Sequence, residues 1–255
     1  MTRTRSILAA VAALLTAGCA NLGGLAGSLG DAIARQPDPE IVRDGAPAYL
    51  IMADTFAERA PGDAEAQLAA ARLYGAYAGA FIDDEPLRLT QRAWDYARAG
   101  LCLRLERVCD TLDARFPAFR VALATEVEDA GDARTLYRAA SAWAGWVRAR
   151  ASDYAALADL PKIEAAFARV LAIEPTIDHG NAHAYLGVLL AQRPQALGGQ
   201  PADARQHFER AIEISGRNLM AKVLYAEHYA RLVFDRGLHE RLLDEVLAAT
   251  PRPAT

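Results

Sequence analysis

The 255-residue chain lacks the short motifs that mark common catalytic sites. No phosphate-binding loop or dinucleotide fingerprint occurs, and Gly27–Gly30 lacks the first glycine of a nucleophile elbow. His239 and Glu240 begin like a zinc-protease motif, but Leu243 stands where the second histidine is required. We therefore expect a binding protein with no catalytic residue, no metal and no cofactor, rather than an enzyme.

Lysine is scarce, and no run of basic residues occurs. The chain has two lysines, Lys162 and Lys222, and 32 acidic residues against 28 basic ones, for a formal net charge of −4. Nucleic-acid binding requires a concentrated positive surface. The composition therefore predicts that nucleic acid is not a partner.

The apolar run near the start is short. Arg3 and Arg5 precede an uncharged apolar stretch at Ile7–Leu15, the pattern of a secretory signal peptide. A permanent membrane-spanning helix needs about 20 apolar residues. The stretch ends in Leu-Thr-Ala-Gly-Cys, which resembles a lipobox and predicts cleavage after residue 18 and lipidation of Cys19. An ordinary signal peptide with an incidental Cys19 is the alternative.

Residues 19–36 are rich in Gly, Ala, Ser and Leu without a helical period, as in a flexible tether. Because Ala20 rather than Asp follows Cys19, we expect a lipid-anchored periplasmic protein at the outer membrane rather than the inner one. Acyl chains would then fix the protein to the membrane. Removing residues 1–18 removes two arginines and no acid, which takes the net charge to −6.

Valine and isoleucine are infrequent in the remaining chain, which has no β-type segment of alternating apolar and polar residues. Its Ala- and Leu-rich segments, separated by Pro, Gly and Asp, predict one all-α domain over 37–255, a tetratricopeptide-like stack of antiparallel helix pairs. The expected helices cover about 46–59, 64–81, a third from Asp83 onward, 116–127, 133–150, 161–173, 179–192, 202–214, 219–234 and 238–249, with Asp178 capping the helix that starts at His179.

A degenerate repeat supports the stack. The tetratricopeptide pattern places a small residue, an aromatic four positions on and a small residue three further. Ala204, Phe208 and Ala211 fit this spacing. Ile163, Phe167 and Val170 fit it with a larger first residue, so close helix packing is expected at both places.

Cys102 and Cys109 lie seven residues apart. A straight helix would separate them by about 10.5 Å, which is too far for a disulfide. A bend between Leu105 and Val108 would let them close, and an oxidising compartment favours that pairing. Two core thiols on one apolar stripe are the alternative.

Histidines and aromatic pairs provide weaker candidates. His179 and His183 are four residues apart, a spacing that would suit zinc, but no third ligand is evident and capping or surface roles are favoured. Trp143 and Trp146 fit core packing, with lining of an apolar groove as the alternative. Tyr225 admits the same two interpretations.

Several segments together resemble the TatT family, the T components associated with TRAP transporters, which are tripartite ATP-independent periplasmic systems. The segments are DPEIVRDGAPAYL (38–50), LYGAYAGAF (73–81), AWAGW (142–146), RPQALGG (193–199), HFERAIEI (207–214) and NLMAKVLYAEHYAR (218–231). The resemblance implies a tetratricopeptide-like lipoprotein that forms a homo-oligomer, with a trimer as one candidate size. It also implies association with the periplasmic substrate-binding P component and a small hydrophobic or organic-acid ligand.

Transferred to this chain, the resemblance makes six motif residues candidates for a partner or ligand surface: Arg193, Pro194, Gly198, Gly199, Asn218 and Lys222. The glycines would alternatively serve the turn, and Asn218 would cap its helix. Two other functions compete with the transport role. One is an envelope-assembly scaffold that binds extended protein segments, and the other is a zinc hydrolase at His179 and His183.

Overall fold

A computed structural model describes residues 36, 38–81, 87–192 and 199–249. Every regular element among them is helical, which confirms the predicted all-α stack. The helices are α1 (Pro39–Arg59), α2 (Ala64–Phe81), α3 (Leu87–Arg104), α4 (Glu106–Asp110), α5 (Phe116–Glu126), α6 (Ala130–Ala149), α7 (Tyr154–Leu157), α8 (Leu160–Ile173), α9 (Asn181–Ala191), α10 (Pro201–Ile214), α11 (Leu219–Leu224), a π-helix (Tyr225–Ala230) and α12 (Arg236–Ala249). The predicted signal peptide and tether, including Cys19, lie outside the described residues except for Gln36.

The described residues fall into two units, which divide at Pro47. In the first unit, the described part is Gln36 and 38–46, where the Asp38 carboxylate accepts a hydrogen bond from the Glu40 backbone N–H at 2.9 Å. The expected start of the first helix near residue 46 is wrong, because α1 already begins at Pro39. Pro47 lies within this helix, where its missing N–H removes one hydrogen bond without ending the helix.

Within the second unit, small residues let α9 and α10 approach closely. A Cβ atom added to Gly187 would lie 3.1 Å from the Phe208 ring, and one added to Gly180 would lie 2.9 Å from the Ala211 carbonyl oxygen. All six residues of the predicted repeat are fully buried: Ile163, Phe167, Val170, Ala204, Phe208 and Ala211. The repeat spacing therefore identified positions where helices pack against one another.

The carboxylate of Asp54 joins α1 to the helices beside it. Tyr96 and Tyr74 donate hydrogen bonds to it at 2.7 and 2.8 Å, and Arg92 does so at 3.1 Å. Burial acts to raise the pKa of Asp54, but these hydrogen bonds prevail and lower it. The polar cluster therefore favours an ionised carboxylate at this contact.

The chain bends between α3 and α4. Leu105 leaves the helical conformation, with φ −129° and ψ 72°, and is itself buried. The bend brings the Cα atoms of Cys102 and Cys109 to 5.0 Å, and a disulfide joins them. The loop after α4, which contains Leu112 and Asp113, follows directly.

A left-handed turn precedes α9, and here the predicted helix start is wrong. Asp178, His179 and Gly180 have φ values of +46°, +55° and +88°, so the helix begins at Asn181 instead of His179. The Asp178 carboxylate does not cap backbone N–H groups, because it accepts hydrogen bonds from the Tyr137 hydroxyl and the Asn181 side-chain amide. Asn218 stabilises the turn by donating to the His179 carbonyl at 3.0 Å.

The helix expected over 219–234 changes its hydrogen-bond register. After Leu219–Leu224 the chain forms a π-helix, in which the Arg231 N–H bonds to the carbonyl of Ala226, five residues earlier. A turn follows, and it ends at Phe234, which has φ +57° and is 92% exposed.

We expect Phe208→Ala to lower the free energy of unfolding by about 3–5 kcal/mol, because it removes a fully buried ring that packs on Gly187. Phe234→Ala is the matched control and should change it by less than about 0.5 kcal/mol, because that ring is exposed. Urea unfolding monitored by circular dichroism measures both. Equal effects of the two variants would contradict the packing described for α9 and α10.

Candidate functional site

All three tryptophans of the chain line one cavity of about 250 Å³, here called the Trp cavity. Trp94 comes from α3, and Trp143 and Trp146 come from α6. The rings of Trp94 and Trp143 stack with their centroids 5.0 Å apart, and both are largely buried. Trp146 is half-buried, so the cavity has an aromatic wall near its opening.

Polar side chains complete the walls of the Trp cavity. Gln91, Asp95 and Arg98 lie along α3, Asp113 belongs to the loop after α4, and Asp159 precedes α8. The loop after α4 also contributes Leu112. The bend between α3 and α4 therefore brings the loop to the same cavity as the tryptophans.

The hydrogen-bond donors of this wall are largely engaged with acceptors of the wall itself. The indole N–H of Trp143 donates to Asp159 at 3.1 Å, and that of Trp146 donates to the Gln91 oxygen at 2.7 Å. The Gln91 amide donates to Asp95 at 2.8 Å.

The charges at the Trp cavity are unevenly neutralised. Arg98 forms an ion pair with Asp113 at 3.0 Å, and both side chains are exposed at the rim. Lys162 is adjacent to the cavity wall, and its ammonium group donates a hydrogen bond to the Leu112 carbonyl. Burial raises the pKa of Asp159, although the Trp143 hydrogen bond and the charge of Lys162 act to lower it. Asp159 is therefore a half-buried acid whose nearest hydrogen-bond donor is an uncharged indole.

A second, more open cavity of about 560 Å³ lies between α9 and α10. His183 and His207 meet in its wall, with their Nδ1 atoms 2.7 Å apart. The Nε2 atom of His183 is buried without a hydrogen-bond partner. An unpaired buried acceptor is better tolerated than an unpaired N–H, so we assign the proton to His183 Nδ1, which donates to His207.

Burial lowers the pKa of His183 to about 4, assisted by the nearby charges of His207 and Arg210. Burial also lowers the pKa of His207, against the raising effect of Asp203. Glu209 and Glu213 line the same cavity. The pair is therefore stable in its neutral form.

The predicted partner or ligand residues that the structure describes do not lie together at one site. Trp143 and Trp146 line the Trp cavity, whereas Tyr225 is buried on Phe208 with ring centroids 5.0 Å apart. Lys222 forms an ion pair with Glu245 of α12 at 2.7 Å. Neither the Trp cavity nor the cavity beside His183 is lined by Tyr225 or Lys222.

Asn218 has a structural role. The Asn218 side-chain oxygen accepts from the Ala221 N–H at 3.0 Å, which is the predicted cap, and its amide also holds the left-handed turn. Gly199 is buried just before α10. The other candidates of that loop, Arg193, Pro194 and Gly198, lie outside the described residues.

The zinc interpretation of His179 and His183 fails on geometry. His179 lies in the left-handed turn before α9, so the two residues do not share one helical face. Within residues 36–249, as far as the structure describes them, no three His, Cys, Asp or Glu side chains are grouped to hold a metal ion. His183 instead faces His207, which lies 24 residues further along the chain.

Sequence reasoning missed most polar residues of the Trp cavity. Gln91, Asp95, Arg98, Asp113 and Asp159 come from segments that the sequence gives no reason to join. The scarcity of tryptophan was the available signal, because three such residues in 255 are easily compared for a shared site.

The helical stack with its buried small-aromatic-small repeat defines a tetratricopeptide-like protein. A family model described as TRAP transporter T-component matches residues 35–254, and the chain belongs to this family. No curated protein matches the chain. Among the described helices, none is both long and apolar enough to cross a membrane.

We expect the free energy of unfolding to fall as the pH is lowered from about 6.5 to about 4. The unfolded chain binds protons at its histidines near pH 6.5, whereas folded His183 does so near pH 4. One proton gives a slope of up to about 1.4 kcal/mol per pH unit. Urea unfolding at several pH values measures the slope of the free energy of unfolding with pH.

The double variant His183→Gln/His207→Gln should reduce this slope, and His179→Gln, outside the pair, should leave it in place. An unchanged slope in the double variant would show that other groups cause the pH dependence.

Proposed function

We propose that this chain is a lipid-anchored periplasmic accessory protein of a TRAP-type transporter, and that it docks the substrate-binding P component. The observation that carries the proposal is membership of the T-component family over residues 35–254. A stack of helix pairs suits this role, because such stacks commonly provide surfaces that bind other proteins.

The turn after the π-helix is the docking element that we favour. Leu232, Val233 and Phe234 are consecutive apolar residues with exposures of 43, 41 and 92%. Phe234 also has a positive φ, which is unfavourable for a residue with a bulky side chain. Exposed aromatic residues of this kind commonly contribute most of the binding energy at interfaces.

The anchor in this proposal is Cys19, and the tether is 19–36. Anchoring would hold the scaffold at a membrane surface and raise the effective concentration of the soluble periplasmic partners that it meets there. We further propose a homo-oligomer, with a trimer as one candidate size, at the outer membrane.

A second candidate function is an envelope-assembly scaffold that binds extended segments of other proteins. The observation in its favour is the repeat itself, since small residues and Phe208 build the same close helix pairs in protein-binding stacks. The two functions differ in what they bind, a folded solute-binding protein or an extended peptide.

We expect the full-length protein to bind the cognate P component, and Phe234→Ala to weaken that binding by about tenfold or more. Tyr154→Ala is the matched control, because Tyr154 is another aromatic residue with high exposure, at 88%. Isothermal titration calorimetry with purified partners measures the affinities. Absence of binding to the cognate P component, together with binding of unfolded polypeptide, would favour the assembly scaffold instead.

We expect Cys19→Ser to move the protein from the membrane fraction to the soluble fraction and to abolish incorporation of a palmitate analogue. The chain has three cysteines, so Cys102→Ser/Cys109→Ser is the matched control and should retain the label. Labelling of Cys19→Ser equal to that of the original chain would contradict lipidation at Cys19.

The family resemblance also implies a small hydrophobic or organic-acid ligand. The Trp cavity has aromatic walls, and it contains both predicted ligand residues of α6. The polar groups in its wall restrict the class of ligand that it could bind.

A further inference from the structure

We propose that the Trp cavity binds a small organic cation, an alkylammonium or guanidinium ion whose N–H groups donate to Asp159. This inference does not depend on docking to a P component, because it rests on the geometry of the cavity alone.

The first step is the hydrogen-bond inventory of the wall. The N–H groups of Trp143 and Trp146 are already bonded to Asp159 and Gln91, and the amide of Gln91 is bonded to Asp95. The Gln91 oxygen receives a second bond, from Arg150 at 2.8 Å. Apart from the guanidinium of Arg98, which is bonded to Asp113 at the rim, the groups with remaining capacity are mainly carboxylate oxygens, which accept hydrogen bonds and do not donate them.

The second step is charge. Asp95, Asp113 and Asp159 line the cavity with one arginine, Arg98, which is engaged with Asp113. Lys162 partly offsets Asp159, but its ammonium group is directed to the Leu112 carbonyl. A ligand carboxylate beside Asp159 would be repelled by it, and Arg98, the arginine of the lining, is already paired with Asp113 at the exposed rim. The expected organic-acid ligand therefore does not fit this cavity, whereas a positively charged donor does.

The third step is the aromatic wall. Indole faces attract cations, and the chain already uses Trp146 in this way, with the Arg150 guanidinium 4.5 Å from its ring centroid. Trp94 and Trp143 are largely buried, and both line the cavity together with Asp159. A charge-assisted hydrogen bond is stronger where water is excluded. A volume of about 250 Å³ suits a small alkylammonium ion.

The chain provides its own reporter for this proposal, because every tryptophan lines the cavity. We would titrate the full-length protein in detergent with n-butylammonium, 1-butanol and butyrate, which share one carbon chain and differ in charge. Intrinsic fluorescence should change saturably with n-butylammonium, and the two other probes should bind at least about tenfold more weakly.

Asp159→Asn removes the charge and retains an oxygen that can accept the Trp143 N–H. We expect this variant to bind n-butylammonium about tenfold more weakly or worse. Asp203→Asn, in the cavity beside His207, is the matched control and should bind as the original chain does. Thermal unfolding of both variants tests whether the folded state is retained.

Butyrate or 1-butanol binding as tightly as n-butylammonium would overturn the proposal, as would the absence of a saturable signal with any probe. Unchanged affinity in a folded Asp159→Asn variant would overturn it as well. If that variant does not fold, the selectivity of the original chain among the three probes decides the question alone.

Discussion

The close contact between α9 and α10 is the constraint on which much of the second half of the structure depends. The Phe208 ring lies on Gly187, and the Ala211 backbone lies against Gly180, so neither glycine position has room for a side chain without rearrangement. The approach requires a tight left-handed turn before α9, and Asn218 stabilises that turn while capping α11. One packing contact thus links three helices.

In the first half of the structure, the corresponding constraint is the bend between α3 and α4. A straight continuation of α3 would carry the chain away from α6, whereas the bend at Leu105 directs the next loop back over the tryptophans. The polar rim and the aromatic wall of the Trp cavity are then built from segments that are far apart in sequence. The same helices therefore supply both core packing and the walls of the Trp cavity.

Features with local causes were predictable, and features with distant causes were not. The bounds of α2 follow from proline and acidic residues at its ends, and the burial of Phe167 and Phe208 follows from their repeat spacing. The turn at Asp178 was missed because partners from other helices determine it, including Tyr137. The π-helix was missed because a change in hydrogen-bond register leaves no compositional mark. For the Trp cavity, sequence identified Trp143 and Trp146 as candidates, but the partnership of Trp143 with Asp159 emerges only when α6 and α8 pack together.

The disulfide between Cys102 and Cys109 closes a short loop, so its stabilisation through loop entropy is smaller than that of a disulfide that closes a long loop. Its effect is local, because it fixes the bend that directs Leu112 and Asp113 to the cavity. Such bonds form after a chain leaves a reducing compartment. Reduction would remove the covalent constraint on this bend, so the chemical state of two thiols bears on how firmly Leu112 and Asp113 are held at the Trp cavity.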